Sequence, residues 1–333
     1  MKRRAVMSLA GGVALSALPA RALTPGRTYR IGWLGYATTN TAEGERIQLA
    51  VEHRFRELGL VEGGNLLTIR RYADGRIERY DDFAAEMVRL GVDLVIASSN
   101  AVALAVMRVS RAMPIVHVAA AEPVQAGLVA SLARPGGQNT GIASLSGDLT
   151  PKRIELLKAA IPSAKRVAIA RCPRCLMANG RTAAQVSAYL DAHDVAARAV
   201  GLTLLPLDLD STADFDAASA TLRRERPDAL LFGPNPVNVA LGSQWLALAA
   251  SLRLPTIGWG GRQGGMLSYD ADQAAIFRRA AEFVVRILDG ARPGDLPMEQ
   301  PTVFEFVIDL RIAKTLGLTI PQSVRLRATE VIE

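Results

Sequence analysis

Short runs of β-branched and aliphatic residues alternate along this chain with longer stretches whose apolar positions recur at helical spacing. Past Gly26 the runs YRIGWLGY, LTIRRY, DLVIAS and PIVHVAA begin at Tyr29, Leu67, Asp93 and Pro114. A second set, RVAIAR, TLLPLD, DALLFG and PTIGWG, begins at Arg166, Thr203, Asp228 and Pro255. Apolar runs of strand length separated by amphipathic stretches predict parallel sheets covered by helices on both faces. The steps between starts are 38, 26 and 21 residues in the first set and 37, 25 and 27 in the second. This near-match predicts an α/β fold of two doubly wound, Rossmann-like lobes, each built on one copy of the same unit.

The third strands agree residue by residue. DLVIASSN ends on Asn100 and DALLFGPN on Asn235, each asparagine seven residues past its aspartate and each followed by helix-period residues. Asparagine is a good helix N-cap. Ligands of open α/β sheets also sit at the carboxyl ends of strands, against helix N-termini. The two roles are compatible, and if the lobes are equivalent the two side chains approach one cleft from opposite sides.

After the second set the chain continues through GGMLSYD, the helix-period QAAIFRRAAEFVVRILDG, a polar proline-rich passage and VFEFVIDLRIAKTLGL. Such a tail suits a chain that crosses back to the first lobe and returns, which makes a hinge of several crossings with a cleft between the lobes. The expected lobes are residues 28–143 with 270–303, and residues 144–269 with 304–333. Within the first lobe, EPVQAGLVASLARPGGQNTG at 122–141 is expected to form a wall of the cleft that leads into the hinge. Glu122 precedes a proline and must turn, GLVASLA reads as a short helix, and Gly136 and Gly137 permit the positive φ of a tight stop before the crossing strand NTGIASL.

Composition agrees with two lobes: 333 residues, half of them apolar, are more than one ordinary core holds. The net charge of +7 suggests nucleic acid at first sight, but residues 1–22 carry Lys2, Arg3, Arg4 and Arg21 and no acid, so +3 remains without them. That is no nucleic-acid footprint. MKRR followed by AVMSLAGGVALSALP and Ala20-Arg21-Ala22 has the layout of an export signal, with cleavage expected after Ala22. Its apolar run is shorter than the roughly 20 residues of a membrane span. Arg3-Arg4 leaves both the Sec and the twin-arginine route open, and with no cysteine at the cleavage site a lipid anchor is not expected. The expected location is periplasmic.

Candidate chemistry gathers at strand ends. Ser98, Ser99 and Asn100 open a helix and could hold a carboxylate. Glu122 could accept an ammonium. Tyr36, Trp259 and Tyr269, with Asp270 beside the last, could enclose an apolar or aromatic body. His53, His117 and His193 share no metal-ligand spacing; His117 reads as a core histidine within a strand, and the other two as solvated positions on helices. No metal or cofactor is expected. Cys172 and Cys175 form a CxxC that reads as a disulfide closing a small loop, worth about 2 kcal/mol by chain entropy, as a redox pair, or as free thiols. GxSxG, Walker and strand-linked GxGxxG patterns are missing, so an enzyme is not expected.

PIVHVAAAEPVQAGLVASLARPGGQNTGIASL with the downstream KRIELLKAAIPSAKRVAI resembles a family of ABC-transporter substrate-binding proteins with the type I periplasmic-binding fold. GLVEGGNLLTIRRYADGRIERYDDFAAEMVRLGVDLVIA, GGMLSYDAD and IAKTLGLTIPQSVRLRATEVIE agree, so the resemblance covers nearly all of the chain past the leader. It implies a monomeric receptor, not an enzyme, that closes on a small solute and passes it to a membrane permease with a cytoplasmic ATPase; relatives with known ligands lean toward aromatic amino acids. An amino acid or related carboxylate is the expected ligand. Two positions depart from the family pattern: Glu122 stands where an aspartate is usual, and CPRC where Asn-Pro is common. A sensory receptor of the same fold and a CxxC redox protein are the rival readings.

Overall fold

The computed structural model describes residues 23–36, 42–144, 149–259 and 265–333; the expected export signal at 1–22 lies outside them. The chain runs β1 (Tyr29–Gly35), α1 (Ala42–Glu57), β2 (Leu66–Tyr72), α2 (Arg79–Arg89), β3 (Leu94–Ala97), α3 (Asn100–Val109), β4 (Ile115–Ala121) and β5 (Asn139–Ser144). It continues with α4 (Thr150–Ala160), β6 (Arg166–Arg171), α5 (Pro173–Ala178), α6 (Ala183–Ala199), β7 (Thr203–Asp208), α7 (Phe215–Glu225) and β8 (Ala229–Phe232). The last part holds α8 (Pro236–Ala240), α9 (Gly242–Leu252), β9 (Thr256–Gly258), β10 (Leu267–Ala271), α10 (Gln273–Leu288), β11 (Phe304–Asp309), α11 (Leu310–Thr315), α12 (Gln322–Arg325) and β12 (Glu330–Ile332). Each of the eight expected strands begins within one residue of its expected start.

Two sheets result, ordered β2-β1-β3-β4-β5 and β12-β11-β10-β9-β8-β6-β7. Read from β7 inward, the second repeats the order of the first, with β10 standing where β5 stands. Every pairing is parallel except that of β10 with β11. The two doubly wound lobes expected from the spacing are therefore the architecture of the chain.

The inner strands β3 and β8 are apolar throughout because both of their faces are covered. Along β3, Leu94 and Ile96 enter one core and Val95 and Ala97 the other. β8 divides in the same way, with Ala229 and Leu231 on one side and Leu230 and Phe232 on the other. This is the twofold alternation of a strand buried on both sides. α10 turns Phe283, Val284 and Ile287 into the core of the first sheet, and β11 and β12 then extend the second.

The segment after β4 differs from expectation. GLVASLA is not a helix but a succession of turns, closed by Leu128 N–H to Pro123 O at 2.9 Å and Ala130 N–H to Pro135 O at 2.9 Å. The turns already bury Leu128 and Val129. Gly136 has φ +76; Gly137 does not have a positive φ, and the close approach here depends on Gly294, where a Cβ would lie 2.8 Å from Gly137 N. Asn139 fastens the turns to the sheet, donating to Leu128 O at 3.1 Å while its Oδ1 accepts from His117 Nε2 at 2.9 Å.

A buried ion pair fastens α4 to β10. Arg153 is fully buried and Asp270 is 3% exposed, with N···O 3.4 Å, and Arg153 Nε donates to Tyr269 O at 2.8 Å. Burial pulls the guanidinium's pKa down and Asp270 opposes that pull. Removing one partner of such a pair leaves an uncompensated buried charge. Asp270→Ala is expected to lower the unfolding free energy by about 3–5 kcal/mol in denaturant melts.

His117 supplies a pH test. Burial lowers its pKa from 6.5 to about 4, so between those values the unfolded chain takes up a proton that the folded chain refuses. Its contribution to stability is present above pH 6.5 and is lost as the pH falls toward 4, at up to about 1.4 kcal/mol per pH unit. Urea midpoints measured across this window are expected to decline less steeply in His117→Gln by that amount.

Candidate functional site

The carboxyl ends of the strands of both sheets meet at a cavity of about 290 Å³, near the lower end of the ~300–1,000 Å³ of small-molecule sites. The first sheet presents Gly35 and Tyr36 after β1, Ser98 after β3, and Ala121 and Glu122 at the end of β4. The second presents Arg171 and Cys172 after β6, Gly233 to Asn235 after β8, Trp259 after β9 and Asp270 on β10. Aromatic rings contribute to the wall: Trp33 and Phe277 stack at 5.3 Å, and Trp259 rests edge-on at 5.4 Å against Phe232, which does not line the cavity.

Of the residues singled out from sequence, Tyr36, Ser98, Glu122, Asn235, Trp259 and Asp270 line this cavity, as do Cys172 and Cys175, which are joined by a disulfide. Ser99, Asn100 and Tyr269 do not line it. Ser99 is the N-cap of α3 and accepts the Val102 N–H. Asn100 is the first residue of the helix proper. Its Nδ2 donates to Ala121 O at 2.6 Å and to Asn179 O at 3.1 Å, and its Oδ1 accepts the Ala121 N–H at 3.0 Å. Tyr269 packs its ring near Phe304 and Phe306.

The two asparagines are thus not equivalent. Asn235 is the N-cap of α8 and accepts the Asn238 N–H at 2.8 Å. Pro236 at the first helical position holds the residue before it extended, so α8 starts one residue later than α3, which has no proline there. The position that corresponds to Asn235 by role is Ser99, one step from the expected Asn100.

Several groups of the site were not anticipated. Arg153 and His193 sit on helix faces that repeat with Leu157 and Ala160, and with Val186 and Ala197, at helical spacing. A polar residue in register with an apolar stripe was the legible signal. His193, expected in solvent, is 6% exposed. Its pKa falls to about 4, first through burial and then through the charges of Arg171, Arg153 and Arg181. Ser98 and His193 both line the cavity, and Ser98 Oγ and His193 Nδ1 are buried with no hydrogen-bond partner among the described residues.

The segment from Cys172 to Arg181 carries the second lobe's grip on the first. Arg181 pairs with Glu122 at 2.6 Å and lies 4.4 Å from the Tyr189 ring centroid. Asn179 Oδ1 accepts the Ala101 N–H of α3 at 3.2 Å. Glu122 adopts φ +42, a left-handed conformation that costs a non-glycine residue about 1–3 kcal/mol and clusters at functional sites. Among the described residues, no group of three or more His, Cys, Asp or Glu side chains could hold a metal, and no helix is long and apolar enough to cross a membrane.

Comparison with known proteins agrees with this frame. The chain is similar to the Tyrosine-binding protein of Clostridioides difficile (strain R20291), with 33% identity over 112 residues, which are 33% of this chain and 32% of that protein. The match therefore spans about a third of the curated relative's length. Two solved structures share the fold: a conserved domain protein from Vibrio cholerae O1 biovar eltor, at 23% identity and a TM-score of 0.77, and the ABC domain in complex with L-Trp from Streptococcus pneumonia, at 22% and 0.76. Each alignment covers 92% of this chain and 100% of the other. The family model for ABC transporter substrate binding protein matches residues 47–332. With so much of the chain matched, on two lobes that enclose a solute-sized cavity, the chain belongs to the ABC transporter substrate binding protein family, whose members bind solutes and are not enzymes.

Proposed function

We propose that this chain is the periplasmic receptor of an ABC importer, which closes on a small solute, an amino acid or related carboxylate, and hands it to a membrane permease driven by an ATPase. The observation that carries the reading is the cavity of about 290 Å³ onto which the carboxyl ends of the strands of both sheets open, in a chain of this family. The aromatic lining suits an apolar body, and the arginines suit a carboxylate. The tyrosine and tryptophan named for the relatives fit the same combination. A solute that touches both walls favours the closed arrangement by its extra contacts there, which is what a capture protein requires.

The leader-like residues 1–22 support export. The N-terminus of the protein recovered from a periplasmic extract is expected at Leu23, and recovery from the cytoplasm with residues 1–22 intact would overturn that part of the proposal. Thermal-shift screening of the purified protein against small solutes is expected to find one that stabilises it, by about 2.7 kcal/mol at 100 times its Kd. A screen in which no small molecule binds saturably sinks the receptor reading. Trp259→Ala, which removes an aromatic wall, is expected to weaken the solute so found by about 1.5–3 kcal/mol in titration calorimetry.

A further inference from the structure

The chain's two cysteines stand at the root of contacts that join the lobes across the cavity. Cys172 follows β6 at the carboxyl edge of the second sheet and is the N-cap of α5, where its Sγ accepts the Cys175 N–H at 3.2 Å. The disulfide ties Cys175 to that edge. Asn179 in turn hangs from Cys175, its backbone N–H donating to Cys175 O at 3.1 Å, and Gly180 follows at φ +92. Beyond Arg181 the capping box of Thr182 and Gln185 starts α6. Residues 173–181 are therefore held against the second sheet by a covalent bond at one end and by a helix cap at the other.

What this segment presents to the first lobe is directional. Asn179 O accepts from Asn100 Nδ2 at 3.1 Å, and Asn179 Oδ1 accepts the Ala101 N–H at 3.2 Å. Arg181 pairs with Glu122 at 2.6 Å, and Arg174, between the two cysteines, lies 4.0 Å from Glu78. Hydrogen bonds weaken steeply as their geometry shifts, so a displaced Asn179 loses both of its bonds together. Gly75 of the first lobe also approaches Thr212 and Ala240, but through apolar atoms, whose attraction has no direction.

We propose that the Cys172–Cys175 disulfide is a redox-controlled latch on the closing of the two lobes, acting through Asn179 and Arg181. A dithiol donor releases it: a donor thiolate attacks one Sγ, the bond between the cysteines breaks, and the donor's second sulfur displaces the mixed disulfide. Two electrons and two protons pass to the cysteines, which become thiols, while the donor becomes a disulfide. Without the tie between Cys175 and the sheet edge, Asn179 and Arg181 lose their fixed aim and the open arrangement gains population. Both cysteines line the cavity and are 3% exposed, so the donor reaches them when the lobes part. An opened receptor must draw its closing energy from the solute alone, which weakens capture. That consequence rests on the receptor reading; the latch operates with no solute present, so the two fail separately.

Amide hydrogen exchange measured by NMR on the purified, solute-free protein tests the latch. Ala101 is among the first amides of α3, which find no carbonyl in their own helix, and Asn179 Oδ1 is its acceptor. Ala103 bonds Ser99 O within α3 and serves as the reference. Reduction with dithiothreitol, followed by the mass gain of two hydrogens, is expected to speed Ala101 exchange by about tenfold or more while Ala103 stays within about twofold. The radius of gyration in small-angle X-ray scattering is expected to grow at the same time. The Cys172→Ser/Cys175→Ser double variant is expected to behave as the reduced protein with or without dithiothreitol. Asn179→Ala, which keeps the disulfide, is expected to show fast Ala101 exchange that reduction does not change, and it carries the test should the double variant fail to fold. An unchanged Ala101 rate, an unchanged radius, equal acceleration of Ala103, or a disulfide that dithiothreitol cannot reduce in the folded protein each overturns the latch.

Discussion

A parallel strand cannot be followed by its neighbour through a tight turn; the chain must return along a helix, so every strand-to-helix turn falls on the same edge of the sheet. The site depends on that constraint. Both sheets obey it over the order in which their strands repeat, and each gathers Ser98 and Glu122, or Arg171 and Asn235, on one edge. The facing of the two edges follows from the tail, where β10 closes the second repeat, α10 packs on the first sheet, and β11 returns antiparallel to β10. The cavity is what lies between two edges of this kind.

Within that frame the electrostatics of the site come from pairs that span the lobes or the layers. The segment 172–181 is short, begins with a disulfide and holds Asn179 and Arg181 against α3 and Glu122. Gly180, at φ +92, brings its backbone close to Ala126 in the turns after β4. The strained backbone of Glu122 is sustained by these contacts, and strain of this kind persists only where the surroundings over-determine it. Arg153 and Asp270, also on the cavity wall, join α4 to the strand from which the chain leaves the second lobe. Closure and solute chemistry are therefore the same question, because the groups that fasten the walls together are also those that set the charge between them.

The repeat was legible because runs such as LVIA and ALLF are buried on both faces and therefore apolar at every position, which marks a strand of a covered parallel sheet with little ambiguity. Positions just past those runs were legible for the same reason, and Tyr36, Ser98, Glu122, Asn235, Trp259 and Asp270 do line the cavity. Less legible were features set by competition. Pro236 shifts the start of α8 by one residue and breaks the match between the asparagines, and GLVASLA meets its need for burial through turns and not through a helix.

By itself, the sequence determined which stretches are strands and helices, that they form two copies of one α/β unit, and which residues stand at strand ends, because periodicity and burial are local properties of the chain. Only the tertiary structure decided how the charges are matched. Arg181 and Glu122 are 59 positions apart, and Arg153 and Tyr269 are 116 apart; nothing in the local pattern of either residue names its partner. His193 shows the same limit in one side chain. Its spacing with Val186 and Ala197 marks a buried helix face, but its neutral state follows from burial and from three arginines that only the folded chain brings around it.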